Sequence, residues 1–180
     1  MTATLLIIDL QQEFTRRTLA GRPRSTPGAE TRAAAVLAAF RAAGRPVLHI
    51  HHDDPDPASG FRLDKPTGAV MPEVAPLAGE RVIVKRTSSA FAGTGLHELL
   101  QADGCRELVV VGAALDFCVN STIRSACDLG YAVQLVTDAT FNFGSTGPDG
   151  TKIAPETVRD VTLATLAQGF ARLVQTADVI

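Results

Sequence analysis

The sequence predicts an α/β fold, a three-layer sandwich with helices on both faces of a mainly parallel sheet. Two observations lead there. Apolar runs alternate with helical patterns along the chain, and strands such as LVVVG (108–112) and AVQLV (132–136) are apolar on both faces. Such strands need cover on both sides, which crossover helices supply. A third observation concerns chemistry. An aspartate, a lysine and a cysteine fall at the C-terminal ends of three predicted strands, the end at which open α/β sheets bind ligands.

The first strand is expected at about 4–9, in TLLIID. A helix follows at 29–43, where Val36, Leu37 and Phe40 mark an apolar face in AAAVLAAF and Gly44 before Pro46 is a stop signal. Strands are expected at 46–50 and 82–85, a helix at 94–103 and a strand at 107–112. Val119, Ile123, Ala126 and Cys127 recur at helical spacing in a helix at 118–129 that closes at Gly130. A strand at 132–137, a helix at 156–168 and a strand at 170–175 complete the order. Two long stretches rich in Pro, Gly, Asp and Ser, 52–80 and 138–155, are left irregular. Loops of that length in a compact domain are usually functional or disordered. Both follow strand C-termini, where they would wall a pocket or form subunit contacts.

A chain of 180 residues reads as one domain, 1–180, able to bury roughly 70% of its unfolded surface. Its 46% hydrophobic and 20% charged residues exclude global disorder. The net charge of -2, without a long run of one sign, points away from nucleic acid and membrane surfaces and toward a small-molecule substrate. MTATLLIID lacks a basic region and a long apolar segment, and no stretch approaches the ~18 apolar residues of a membrane span, so a cytoplasmic protein is expected. Cys105, Cys118 and Cys127 are odd in number with no C-x-x-C spacing, which argues against a disulfide framework and a thiolate zinc site.

Cys118 follows an apolar strand at the start of a predicted helix. The partial positive charge of a helix N-terminus favours the thiolate, which is the nucleophile. Asp9 ends the strand in TLLIIDLQQEF and Lys85 the one in RVIVKRTSSAF. Taken singly, each has a plain structural reading: a turn former, a solvated strand end and an inert buried thiol. Cys127 on its helical stripe and Cys105 in the DGC turn read as packing residues.

Together the motifs carry a resemblance. D-x-Q-x-x-F stands at Asp9 to Phe14, K-x-x-x-S-A-F at Lys85 to Phe91, and C-V-x-x-T at Cys118 to Thr122, with Gly130-Tyr131 and Asp138-Ala139 following. In this order and spacing the chain resembles the isochorismatase-like cysteine hydrolases, a family that includes nicotinamidases and N-carbamoylsarcosine amidohydrolases. The resemblance implies a Rossmann-like, mainly parallel six-stranded sheet in the order 3-2-1-4-5-6. It also implies an Asp-Lys-Cys triad at Asp9, Lys85 and Cys118, meeting at the switch point between strands one and four. It further implies an oxyanion hole from the backbone amides of Ala114 and Cys118, a cis peptide between Ala113 and Ala114, and a homo-oligomer, dimer or tetramer. The chemistry implied is cofactor-independent. Asp9 accepts the thiol proton, Lys85 stabilises the negative charge, and an amide carbonyl is attacked to give a thioester that water hydrolyses.

Two departures from the family pattern bear on the substrate. Nicotinamidases carry a metal site near HIHHDD that begins with an Asp-x-His pair; here His49 replaces the Asp. His51, His52 and Asp53 follow, but His97, the remaining histidine, lies on a helix after strand three and completes no evident ligand set, so no metal is expected. Leu115 stands where many family members have Thr, which favours a more apolar pocket with Phe14, Phe91, Leu115, Phe117 and Phe143 as candidate walls. Isochorismatases proper cleave a vinyl ether without a cysteine nucleophile, so Cys118 favours an amidohydrolase acting on a small amide, lactam or ureido compound. The alternatives are a vinyl-ether hydrolase, a non-catalytic binding or scaffold protein on the same fold, and a thiol redox protein, for which neither Cys105 nor Cys127 is a well-spaced resolving partner.

Overall fold

A computed structural model describes residues 3–180. Its strands β1 (Thr4–Ile8), β2 (Val47–His52), β3 (Arg81–Lys85), β4 (Glu107–Ala113), β5 (Ala132–Phe141) and a last strand, Arg172–Val174, form one six-stranded sheet. Two short strands, β6 (Ser145–Thr146) and β7 (Lys152–Ile153), pair as an antiparallel hairpin, which makes the last strand β8. The order β3-β2-β1-β4-β5-β8, parallel throughout, is the order 3-2-1-4-5-6 implied by the motifs.

Helices α1 (Gln12–Leu19), α2 (Ala29–Ala42), α3 (Leu96–Ala102), α4 (Asn120–Asp128) and α5 (Pro155–Leu166) cover the faces. Successive side chains of a strand point to opposite faces, so β1, buried along its whole length, feeds two cores. Leu5 and Ile7 pack with Val36, Leu37 and Phe40 of α2, while Leu6 and Ile8 pack with Leu100 of α3 and Ile123 of α4. The order turns on β1: β2 and β3 lie on one side of it, β4, β5 and β8 on the other. The crevice at that reversal opens at the strand C-termini, beside Asp9.

Four local differences from the sequence reading matter for the site. Helix α1 is not foreseen; it buries Glu13 and Phe14, and Arg16 and Arg17 both pair with Glu13. The chain does not begin α4 at Cys118: a π-helical turn, Leu115–Val119, leads into it. Strand β5 runs to Phe141, four residues beyond the expected end, and hairpin β6–β7 occupies part of 138–155. The stretch 52–80 holds two short 3-10 turns and is tied to the start of α1, where the Met71 amide donates to Leu10 O and the Gln12 amide to Ala69 O. Among the described residues no helix is long and apolar enough to cross a membrane.

Candidate active site

Asp9, Lys85 and Cys118 converge. Asp9 is the first residue past β1 and adopts a left-handed backbone (φ 51°), with its amide held by Ile50 O and its own carbonyl accepting from the Gln11 amide. The turn directs its carboxylate into the crevice, where it is almost wholly buried. Lys85, last in edge strand β3, has a fully buried side chain; its Nζ lies 2.6 Å from Asp9 Oδ2 and donates to Cys118 Sγ at 3.2 Å and Thr87 O at 3.1 Å. The short Asp9–Lys85 approach is an ion pair, and among the described residues no backbone amide or hydroxyl donates to the Asp9 carboxylate.

Burial pushes the Asp9 carboxyl up, and the Lys85 ammonium beside it works the other way. Cys118 is pushed up to about 12, first by burial and then by the negative charge of Asp9, against the opposing pull of Lys85. At rest the sulfur is therefore a thiol. The sequence expectation that a helix start favours thiolate is overturned here, because desolvation and a neighbouring carboxylate outweigh a partial charge at the turn. What remains at rest is an S–H beside a carboxylate with unused acceptor capacity.

The backbone around the thiol is specialised. Ala113-Ala114 is a cis peptide. The Ala114 carbonyl accepts from the amides of Phe117 (3.1 Å) and Val119 (3.2 Å) but not from the Cys118 amide between them, a consequence of π-turn bonding. Gly112, opposite Ile8 in the β1–β4 ladder, is what lets this turn approach β1. At its φ of 132°, a Cβ would stand 2.2 Å from Ile8 O.

Asp9 and Cys118 border a cavity of about 280 Å³, lined also by Phe14, Arg17, His52, Asp54, Phe61, Ala114 and Phe117, while Lys85 is fully buried against the two. Phe14 and Phe117 thus stand where the sequence reading puts them, and Phe143 lines an adjoining compartment. Phe91 and Leu115 do not. Phe91 stacks on Tyr131 at 5.8 Å between centroids, and Leu115 is fully buried in the core shared with α4, because the π turn points it beneath the sheet end rather than into the crevice. A larger recess, about 800 Å³ around Arg41, Pro46 and Glu80, lies at the other end of the strands and touches none of the three.

Comparison with known proteins identifies the family. The Isochorismatase domain family model matches residues 3–178. The chain belongs to the isochorismatase-like hydrolase superfamily. An isochorismatase-family structure from Chromobacterium violaceum superposes with a TM-score of 0.94 at 41% identity, covering 99% of this chain and 91% of that one. The uncharacterized isochorismatase family protein YrdC of Bacillus subtilis is 31% identical over 98% of this chain and 93% of its own. A protein named streptothricin hydrolase, from Streptomyces noursei, is 34% identical over 75% of this chain and 48% of its own.

Within this hydrolase the histidines separate. His49 turns away from the crevice to Glu80 (2.9 Å), which also takes two bonds from Arg41. His51 is held down to about 4 by burial and then by His49, so it is neutral at pH 7. His97 bonds Tyr131 OH on the other core face. Among the described residues no three His, Cys, Asp or Glu side chains gather as metal ligands, so a metal site like that of the nicotinamidases does not fit this donor set.

His52 is different: it lines the cavity, and its Nδ1 stands 3.5 Å from Lys85 Nζ. Buried Gln11 fixes it by bonding both the amide and the carbonyl of His52, and it also donates to Gly68 O. The sequence reading quoted Gln11 only as a motif letter and read His52 as a loop residue. Arg17 and Phe61 left no signal, since α1 was not foreseen and Phe61 sits in an irregular stretch.

Proposed function

We propose that the protein is a cysteine hydrolase that cleaves a non-peptide C–N bond of a small amide, lactam or ureido compound. The observation that carries the reading is the contact of one buried ammonium, Lys85, with both Asp9 (2.6 Å) and Cys118 (3.2 Å) at the wall of a cavity. A carboxylate that is buried and short of hydrogen bonds is a ready proton acceptor, and an adjacent ammonium stabilises negative charge as it builds on sulfur. Likeness to a protein named streptothricin hydrolase agrees with hydrolytic chemistry.

In the proposed course, Cys118 Sγ bonds to the substrate carbonyl carbon as its proton passes to Asp9. The carbonyl oxygen, now an oxyanion, is met by the amides of Ala114 and Cys118; the Cys118 amide is passed over by the Ala114 carbonyl. Collapse breaks the C–N bond, and Asp9 returns the proton to the departing nitrogen. A water then attacks the thioester, giving one proton to Asp9. The C–S bond breaks, and that proton restores the thiol. Phe14 and Phe117 form apolar walls for the substrate.

The test is release of ammonia or amine from a panel of primary amides, lactams and ureido acids, using chelator-treated protein. Turnover should appear with the intact chain and fall by at least about 10³-fold in Cys118→Ala. Equal turnover in the variant would overturn the nucleophile role and leave vinyl-ether or non-covalent hydrolysis. No turnover on any compound would favour a binding protein on this fold.

A further inference from the structure

The cleft does not end at the three residues. Phe14, Arg17, Ala114 and Phe117 wall both the cavity beside Cys118 and an adjoining compartment of about 200 Å³. Phe143, Gly144 and the β6 residues Ser145 and Thr146 also line that compartment. Its polar lining is unlike that of the first. Arg17 donates its Nε to Glu13 at 2.9 Å, and its Nη groups bond no acceptor among the described residues. Arg22 stands 4.8 Å over the Phe143 ring, and among the described residues its side chain donates one long hydrogen bond, at 3.5 Å, to Gly144 O. Beyond it, Arg22, Ser145 and Thr146 also border an outer recess that carries Lys152.

The charges along this path are lopsided. Arg17, Arg22 and Lys152 stand against one carboxylate in the lining, Asp116, and the Glu13 that Arg17 bonds is shared with Arg16, in a chain whose net charge is -2. The first cavity is more evenly balanced: Lys85 behind it is paired with Asp9, and the Arg17 that it shares with the second compartment is set against Asp54, 4.0 Å from His52. An anionic substituent on a substrate would therefore be drawn past Phe117 into the second compartment. Guanidinium groups suit a planar carboxylate, because their N–H donors form a fork that matches its two oxygens.

We propose that this second compartment is a subsite for a carboxylate carried by the substrate away from the scissile C–N bond, held by Arg17 and Arg22. The inference rests on Cys118 as nucleophile for its position in the reaction, but not for the binding itself. Asp116 is the opposing element. Its Oδ1 is buried without a partner and its charge disfavours an anion, an effect that Arg22 beside it offsets. The walls then select a substrate with an amide at one end, a short apolar middle against Phe14 and Phe117, and a carboxylate at the other.

The experiment compares succinamate, glutaramate and adipamate with the equally long amides that end in a methyl ketone. The intact protein should prefer at least one carboxylate by about tenfold or more in kcat/KM, the scale of a charged hydrogen bond. Arg17→Gln and Arg22→Gln should each reduce that preference about tenfold, Asp116→Asn should increase it, and 0.5 M salt should weaken it. Variants are compared only where their melting temperatures match the parent. No preference at any length, or a preference indifferent to Arg22, would overturn the subsite. Calorimetric binding of glutaramate to Cys118→Ala protein separates the two claims. Arg22-dependent binding without turnover by the parent would retain the subsite and remove the nucleophile reading; absence of both binding and turnover would remove the subsite.

Discussion

Cys118 is held as a thiol by the same carboxylate proposed to deprotonate it. Burial and Asp9 both push its pKa up, whereas Lys85 pulls it down. The two partners should therefore act in opposite directions on the free thiol. Asp9→Asn removes the negative charge, so alkylation by iodoacetamide at pH 8 should quicken by about tenfold, the size of one pKa unit, even though turnover is lost with the proton acceptor. Lys85→Met should slow alkylation, because it removes the one charge that favours thiolate. Rates that move together in the two variants would sink this account of the site. The comparison needs a melting curve for each, since removing one member of a buried ion pair strands the other.

At the scale of elements, the site depends on how closely the turn after β4 approaches the end of β1. Gly112 allows it: its φ of 132° and the 2.2 Å that would separate a Cβ from Ile8 O leave no room for a side chain. Gly112→Ala is expected to destabilise the fold by about 3 kcal/mol, measured by urea unfolding. In whatever folds, the Cys118 turn should sit away from Asp9, with turnover lost beyond what stability explains. A variant of parental stability and activity would show that the ladder can shift to admit the methyl. The π turn acts together with this glycine, since its bonding pattern leaves the Cys118 amide out of the Ala114 carbonyl's pair of hydrogen bonds.

For the whole molecule, the end of the sheet opposite the site carries a second demand on pH. Glu80 takes two bonds from Arg41 of α2, one from the Leu77 amide and the contact with His49 of β2, so it ties helix, loop and strand together. Arg41 foremost holds its carboxyl down from 4.5 to about 2. A carboxyl lowered in the folded state stabilises it above pH 4.5, and that contribution is lost as pH falls toward 2. His51, lowered from 6.5 to about 4, adds a penalty over that higher interval, because the folded state resists the proton that the unfolded chain accepts. Glu80→Gln should cost about 1–3 kcal/mol at pH 7, and the difference from the parent should shrink by pH 2. A difference that is constant with pH would mean that the carboxylate's charge is not what matters.

Much of this protein is legible in its sequence because the signals are local. Alternating apolar runs mark strands whose two buried faces require helices on both sides, and Asp9, Lys85 and Cys118 sit in motifs whose order and spacing identify the family. The pocket walls were only partly legible. Phe14 and Phe117 line it, but Leu115 beside the nucleophile turns into the core, because a π turn instead of an α turn rotates successive side chains differently. Arg17, His52 and Phe61 reach the cavity from segments far apart in the chain, and nothing in their immediate sequence records that meeting. The sequence by itself determined which elements form and which residue types can do chemistry. Only the tertiary structure decided which of them share one desolvated crevice, and hence that Cys118 rests as a thiol, since burial and charge separation are set by contacts between strands and not along them.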